Sequence, residues 1–283
     1  MSMSPGVDLS GADGLGVLAF RGADSARFLQ GQLSADVEKL APGASTLAGL
    51  HNAQGRVAAL LALARPTPDE ILAVLPRALI APVAQRLGKY VFRAKVRIGE
   101  ESDALRVLGV AAGSDIAGGV GIAWGERHLL VVPRGLERID PATSIAAWEA
   151  ADIAAGIPQV YAATSETFVA QMLNLDLLGA IAFDKGCYTG QEVIARAHYR
   201  GRVKRRMQRW LNAGGSELRP GDTARSQDGR ALAVVRVARD AQGRQELLAV
   251  GNFGPVVGSV ADADPAGGII VEGPLPLPYA LPE

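Results

Sequence analysis

The segment DKGCYTGQEVIARAHYRGRVKRR, positions 184–206, holds much of what this chain could use for chemistry. Cys187 is the only cysteine in 283 residues, so an intrachain disulfide, a zinc site or a self-contained iron–sulfur site lacks the thiols it needs. Gly186 before it and Gly190 shortly after let the backbone turn tightly and leave the sulfur uncovered. Lys185 and the arginines downstream favour the thiolate, the form that attacks electrophiles and binds metals. The other reading of a lone cysteine is a small buried hydrophobe, and the local sequence leaves both open. A nucleophile–base triad has no support, because His51, His128 and His198 stand in no recognisable partner pattern.

Positions 185–209 contain eight basic residues and one acid, Glu192. Such a run suits a polyglutamate tail, a phosphate or an RNA backbone; the alternative is a solvated basic helix or strand. Tyr188 and Tyr199 either stack on a flat ring or pack at a lobe boundary. The glycine-rich stretch GVAAGSDIAGGVG, 109–121, matches neither a phosphate-binding loop nor a dinucleotide fingerprint and reads as a loop.

Composition narrows the setting in which these groups act. With 48% apolar residues in 29.4 kDa, the chain can bury one large core or two to three smaller ones. Twenty-nine basic and 29 acidic residues give no net charge, which argues against a general nucleic-acid or membrane-surface binder and makes any such role local. No long uninterrupted apolar run and no secretory leader are evident, and with one cysteine this predicts a cytoplasmic protein. Arginine outnumbers lysine 24 to 5, so the Lys of DKGC stands out in a chain that otherwise uses Arg for positive charge.

The elements that must position these residues read as two α+β subunits followed by a β module. A strand at 17–20 is followed by a helix capped by Asp24 or Ser25 that buries Phe28, Leu29 and Leu33. A hairpin turns at 52–55 between apolar strands. PDEILAVLP reads as a strand, ALIAPVAQRLGKYVF as a helix ending near Gly88, and KVRIGE as another strand. ALRVLGVA and RHLLVVP are strands, and 141–155 is a helix around Trp148 with Asp140 as N-cap and Pro141 as its first residue. After Arg206, short β runs are separated by turns at Asp228-Gly229 and Gln242-Gly243, which suggests a small closed or half-closed barrel. The predicted divisions are 1–105, 106–205 and 206–283. The cysteine motif lies just before the last junction, a usual place for a pocket.

KGCYTGQE, preceded by FVAQMLNLDLLGAIAFD and followed by ARAHYRGRVKRR, resembles the signature of the YgfZ family of folate-binding proteins, relatives of the glycine cleavage aminomethyltransferase. RGADSARFLQGQLSADV, HNAQGRV, LGKYVFRAKV, AAGIP and PLPLPYAL follow in the family's order, nearly end to end. The resemblance implies two α+β subdomains and a C-terminal small β-barrel around a central folate cavity, with tetrahydrofolate or a one-carbon derivative as cofactor. It implies a role in maturing or repairing iron–sulfur enzymes, including ones that modify tRNA, with an iron–sulfur carrier or client enzyme as partner and no stably bound metal. Cys187 is then the working residue and Lys185 its electrostatic partner. Trp148, Tyr188, Gln191, Glu192, Arg196 and Arg202 form the candidate folate-binding set.

Two positions depart from the family pattern. A Glu that would accept hydrogen bonds from the pterin N–H groups is replaced by Ala154, and a second tryptophan by Leu15. The first alternative function is a turnover aminomethyltransferase, which needs a carboxylate beside the folate N5; Asp36 is the nearest candidate, and it is equally a helix-end residue. The second is a scaffold that binds RNA or a modifying enzyme through the basic face at 196–209.

Overall fold

The structure, a computed structural model, describes residues 4–114, 118–135, 139–140, 144–201, 203–214, 216–252 and 269–282. The fold mixes α and β in several sheets. The first sheet is built from β2 (Leu15–Arg21), β3 (Ser45–His51), β4 (Val57–Thr67), β5 (Glu70–Pro76) and β6 (Arg97–Glu100), in the order β3-β4-β5-β2-β6 with every pair antiparallel. Its strands read as near-continuous apolar runs because both faces are covered. Leu18, Phe20, Leu61 and Leu75 face a core shared with helices α1 (Ser25–Gln30) and α2 (Arg77–Gly88), while Val17, Ala19, Ala62 and Val74 face the second sheet. The hairpin turn at 52–55 is held by the Asn52 side chain, whose Oδ1 accepts from the N–H groups of Gln54 and Arg56, both at 3.0 Å. Asp24 stands at the start of α1 but does not cap it; its carboxylate accepts from the Lys95 N–H at 2.7 Å and pins the chain leading into β6.

The second sheet takes the order β10-β1-β7-β9-β8, from β1 (Ser4–Asp8), β7 (Leu105–Ala111), β8 (Val120–Trp124), β9 (Arg127–Pro133) and β10 (Ile139–Asp140). β8 lies partly within the glycine-rich stretch expected to be a loop. Its alternation sends Ile122 and Trp124 inward, and the neighbouring glycines hide that pattern in the sequence. Helix α3 (Ile145–Ala154) starts later than expected. Ser144 is its N-cap, with Oγ accepting from the Ala147 N–H at 3.1 Å, whereas Asp140 lies in β10 and pairs with β1; Pro141 falls outside the described residues.

Two 3₁₀ turns, Ala162–Thr164 and Ala170–Leu173, lead to helix α4 (Gln191–Tyr199). The C-terminal strands β11 (Arg205–Asn212), β12 (Thr223–Ser226), β13 (Ala231–Arg239), β14 (Gln245–Asn252) and β15 (Ile269–Leu275) pair in the order β11-β14-β13-β12-β15, and β15 also pairs with β11. Trp210, Leu232, Val234, Leu247 and Val271 fill the interior of this module. Helix α3 packs on β13, and the tail returns to the body through Tyr279, whose hydroxyl donates to the Gly156 carbonyl at 2.8 Å.

Candidate functional site

A cavity of about 390 Å³ opens where α3 and β13 meet the segment after β1. Its apolar walls come from Leu15, Trp124, Ile145 and Trp148; Glu149, Asp152, Gln159, Tyr161 and Arg236 supply its polar groups. Residues 8–14 form one lip. Gly14 is required there, because a Cβ would stand 2.2 Å from the Leu9 carbonyl oxygen, so the chain can fold back only without a side chain.

Asp152 organises the polar wall and is 1% exposed. One carboxylate oxygen accepts from Trp124 Nε1 at 2.8 Å and from Arg127, and the other accepts from Arg236 at 2.5 Å. Two arginines on one buried carboxylate give it the compensation a buried charge requires. Arg236 also donates to the Ile157 carbonyl at 3.3 Å, yet its Nε–H has no partner among the described residues. Glu149, half-buried, has its carboxyl pushed up by burial, with Arg236 acting against the shift and Asp152 adding to it. Burial likewise raises the Tyr161 hydroxyl. Trp148 is only 5% exposed: it packs against Gly109, and the Arg127 guanidinium lies 3.9 Å from its ring centre. The indole is therefore a wall of the cavity rather than an open stacking platform.

The cysteine motif lies elsewhere. Gly190 starts α4 at φ 82°, and a Cβ there would stand 2.4 Å from the Asn52 carbonyl oxygen, so this glycine lets the helix press on the β3–β4 turn. Cys187 is exposed and free. Lys185 is 8% exposed, and its Nζ donates to the carbonyls of Gln30, Leu33 and Ala35 at 2.7, 2.6 and 2.7 Å. Burial lowers its pKa to about 8, against the opposing pull of Asp36 and Glu38. All three ammonium N–H bonds are thereby spent on backbone carbonyls. The expected role of Lys185 beside the thiol would therefore act through its charge, since its three N–H bonds are engaged by carbonyls.

Tyr188 is buried, with its hydroxyl pushed up to about 12 by that burial; its ring lies 5.1 Å from Lys185 Nζ and 6.0 Å from the buried His51 ring. Gln191 is half-buried, and Glu192 and Arg196 are exposed on α4. Arg202 lies outside the described residues. None of Tyr188, Gln191, Glu192 or Arg196 lines the cavity that Trp148 lines. The candidate folate set thus divides in two. Tyr188 packs in the core on the α1–α2 face of the first sheet, and Trp148 in the core on the opposite face.

The basic run divides as well. Arg206 is buried and grips Asp176 with two bonds, at 3.0 and 2.8 Å, while Arg209 pairs with Glu246 at 2.6 Å. Arg196, Arg200, Lys204 and Arg205 remain exposed. Asp36 accepts from Gln30 and pairs with Lys39 at 2.9 Å; it serves a local turn and does not line the cavity. Ala154 is exposed and outside the lining, whereas Leu15 is part of it. The residues that sequence reasoning missed are Trp124, Glu149, Asp152 and Arg236. The spacing of Trp148, Glu149 and Asp152 on α3, which presents all three to one side, was the available signal. No group of three or more His, Cys, Asp or Glu among the described residues is arranged to hold a metal ion, and no helix there is long and apolar enough to cross a membrane.

No family model matches the chain. Curated relatives do. The tRNA-modifying protein YgfZ of Escherichia coli (strain K12 / DH10B) is 32% identical over an alignment of 306 positions, gaps included, that covers 93% of this chain and 90% of that protein. The tRNA-modifying protein YgfZ of Edwardsiella ictaluri is 35% identical over 259, covering 77% of each. Among solved structures, the glycine cleavage system aminomethyltransferase T from Bartonella henselae superposes with a TM-score of 0.66 at 13% identity, covering 88% of this chain and 79% of that one. At that identity the likeness is one of fold.

Proposed function

The chain belongs to the YgfZ family, and from that membership we propose that it binds a reduced folate in the cavity beside α3. In this reading it supports maturation or repair of iron–sulfur enzymes, including ones that modify tRNA. The observation that carries the folate reading is the cavity itself: two tryptophans in its walls, a half-buried carboxyl at Glu149 and an unpartnered buried donor at Arg236 Nε. Its volume lies within the range of roughly 300–1,000 Å³ usual for small-molecule sites.

These residues suit a pterin. Trp124, Trp148, Leu15 and Ile145 exclude water from a flat ring. The Glu149 carboxyl faces the pocket and can meet the ring N–H groups, which removes the need for an acid at position 154. Arg236 Nε–H would donate to a ring carbonyl, making the one hydrogen bond it lacks. Tetrahydrofolate, when bound, supplies a carrier of one-carbon units; the protein's part is to bind and orient it. Cys187, exposed on another face, is suited to meet a partner. Because a common cluster needs about four protein ligands, a single thiolate would contribute one while a carrier or client enzyme supplies the others, with the cluster as cargo. A turnover aminomethyltransferase has the fold in its favour, but Asp36 stands outside the cavity.

Titration calorimetry with tetrahydrofolate tests the folate reading. We expect binding tighter than millimolar, weakened about tenfold by Glu149→Ala, the loss of a single hydrogen bond to a charged or strongly polar partner, and unchanged by Cys187→Ala. No binding at millimolar folate, or affinity indifferent to Glu149→Ala and Trp148→Phe, would remove folate from this cavity.

A further inference from the structure

The chain between α2 and β6 carries an exposed patch to which nothing above assigns a role. Phe92 is 86% exposed and Tyr90 54%, two large apolar rings left in solvent two positions apart. Leaving a phenylalanine in water forgoes roughly 2 kcal/mol of burial, so its display is costly unless it is covered at times. Lys89, Arg93, Lys95 and Arg97 surround the rings and are all exposed. No acidic residue occurs from 87 to 99, and none of these four cations makes an ion pair among the described residues. Of the carboxylates around it, Glu70 and Glu101 pair with Arg21 and Glu166 with Arg86, Asp24 accepts from the Lys95 N–H, and the exposed Glu100 closes β6 just beyond the segment. The Arg93 guanidinium lies 5.5 Å from the Phe92 ring centre.

The segment is built for display. Val91, Ala94 and Val96 turn inward against the main core, alternating with the outward rings and cations. Its backbone is anchored at both ends: the Tyr90 N–H donates to the Leu87 carbonyl at 2.9 Å, and Asp24 clamps Lys95. A backbone anchored at both ends that presents two flat rings among four cations without an ion pair among the described residues combines the two features that hold unpaired nucleic acid, stacking faces for bases and positive charge for phosphates. We infer that Tyr90 and Phe92, with Lys89, Arg93, Lys95 and Arg97, form a binding surface for an unpaired stretch of RNA. This surface is independent of the folate cavity and of the basic residues of α4. It rests on the proposed function only in the choice of RNA over single-stranded DNA.

The test is fluorescence anisotropy of the full-length protein with a labelled single-stranded RNA of mixed sequence, together with the DNA of the same sequence and polyglutamate as competitors. Expected results are micromolar binding to RNA, a loss of about tenfold or more for each of Tyr90→Ala and Phe92→Ala, and rescue by Phe92→Trp. Single-strand affinity should fall with salt with a slope of about 2–3 in log units, from about 0.7 per phosphate met, and Arg93→Glu with Lys95→Glu should lower that slope. All these positions are exposed, so the variants should melt like the parent. The inference fails if the parent does not bind at about 100 μM, the weak end of non-specific affinity. It also fails if only Arg196→Glu with Arg200→Glu removes binding, if DNA binds more tightly than RNA, or if polyglutamate competes as well as RNA. Folate titrations on the same variants should be unaltered, so either reading can fail without the other.

Discussion

Asp152 of α3 and Arg236 of β13 meet at 2.5 Å in a buried contact that ties α3 to the C-terminal strands and forms one wall of the candidate cavity. Arg127 shares the same carboxylate, so removing the acid strands two cations at once. Truncating one partner of a buried pair costs about 3–5 kcal/mol, because the charge left behind is uncompensated. We expect Asp152→Ala to lose stability on that scale in urea denaturation, and Arg236→Met to lose less, since Asp152 keeps Arg127 and Trp124. A shift below about 1 kcal/mol for Asp152→Ala would mean that the contact organises the wall without stabilising the fold.

His51 should make stability depend on pH. Its imidazole is 1% exposed, and burial pushes its pKa down to about 4, outweighing a small opposing effect of the Gly49 backbone. In the unfolded chain it titrates at the ordinary value near 6.5. Between those values the unfolded state holds the extra proton, so stability rises with pH across the window and is lost as pH falls from about 6.5 to 4. The slope is at most about 1.4 kcal/mol per pH unit and the total about 3 kcal/mol. Comparing unfolding free energies of the parent and His51→Leu from pH 7.5 to 4.5 isolates this group. The difference should be flat above pH 6.5 and change below it; a constant difference would show that the imidazole charges freely in the native protein.

Lys185 acts as a clamp on the chain after α1. Lys185→Met leaves the carbonyls of Gln30, Leu33 and Ala35 without their donor, and at about 1–3 kcal/mol for each buried group left unpaired a loss of at least 3 kcal/mol is expected. Lys185→Arg should rescue poorly, because a planar fork cannot point three N–H bonds at three converging carbonyls. The rate at which iodoacetamide alkylates Cys187 supplies a second readout and should change by less than twofold. A Lys185→Met protein of normal stability with a slowed thiol would restore the lysine to the chemistry of the cysteine.

Much of the fold was legible because burial on two faces writes strands as apolar runs, as in VAALLALARPT, and because Asn52 and the glycines at 229 and 243 mark turns by their own chemistry. β8 was hidden because Gly118, Gly119 and Gly121 broke its alternation, and Trp124 was lost with it. Side-chain roles were harder to read wherever the partner is distant in sequence. Lys185 is satisfied by carbonyls some 150 positions away, and Arg206 by Asp176 across 30, so a basic run on paper becomes two structural ion pairs and a smaller exposed set. Likewise LGKYVFRAKV shows its charge and its rings in the sequence, but only the fold shows which of them face out.

Cys187 offers the sharpest separation of packing from reactivity. An exposed, free thiol contributes little to the core, so Cys187→Ala should unfold within about 0.5 kcal/mol of the parent, and the native protein should be alkylated without first unfolding. Anaerobic reconstitution with iron and sulfide should leave the isolated protein without a stoichiometric cluster, because one cysteine falls short of the roughly four ligands a common cluster requires and no cluster of metal ligands exists among the described residues. Repeating the experiment with a loaded cluster carrier, and following visible absorption and mass, should reveal a mixed species that depends on Cys187 and is absent in Cys187→Ser. A stable cluster on the protein alone, or a mixed species formed equally well by Cys187→Ser, would show that the thiol is not a ligand and that its function lies in another reaction.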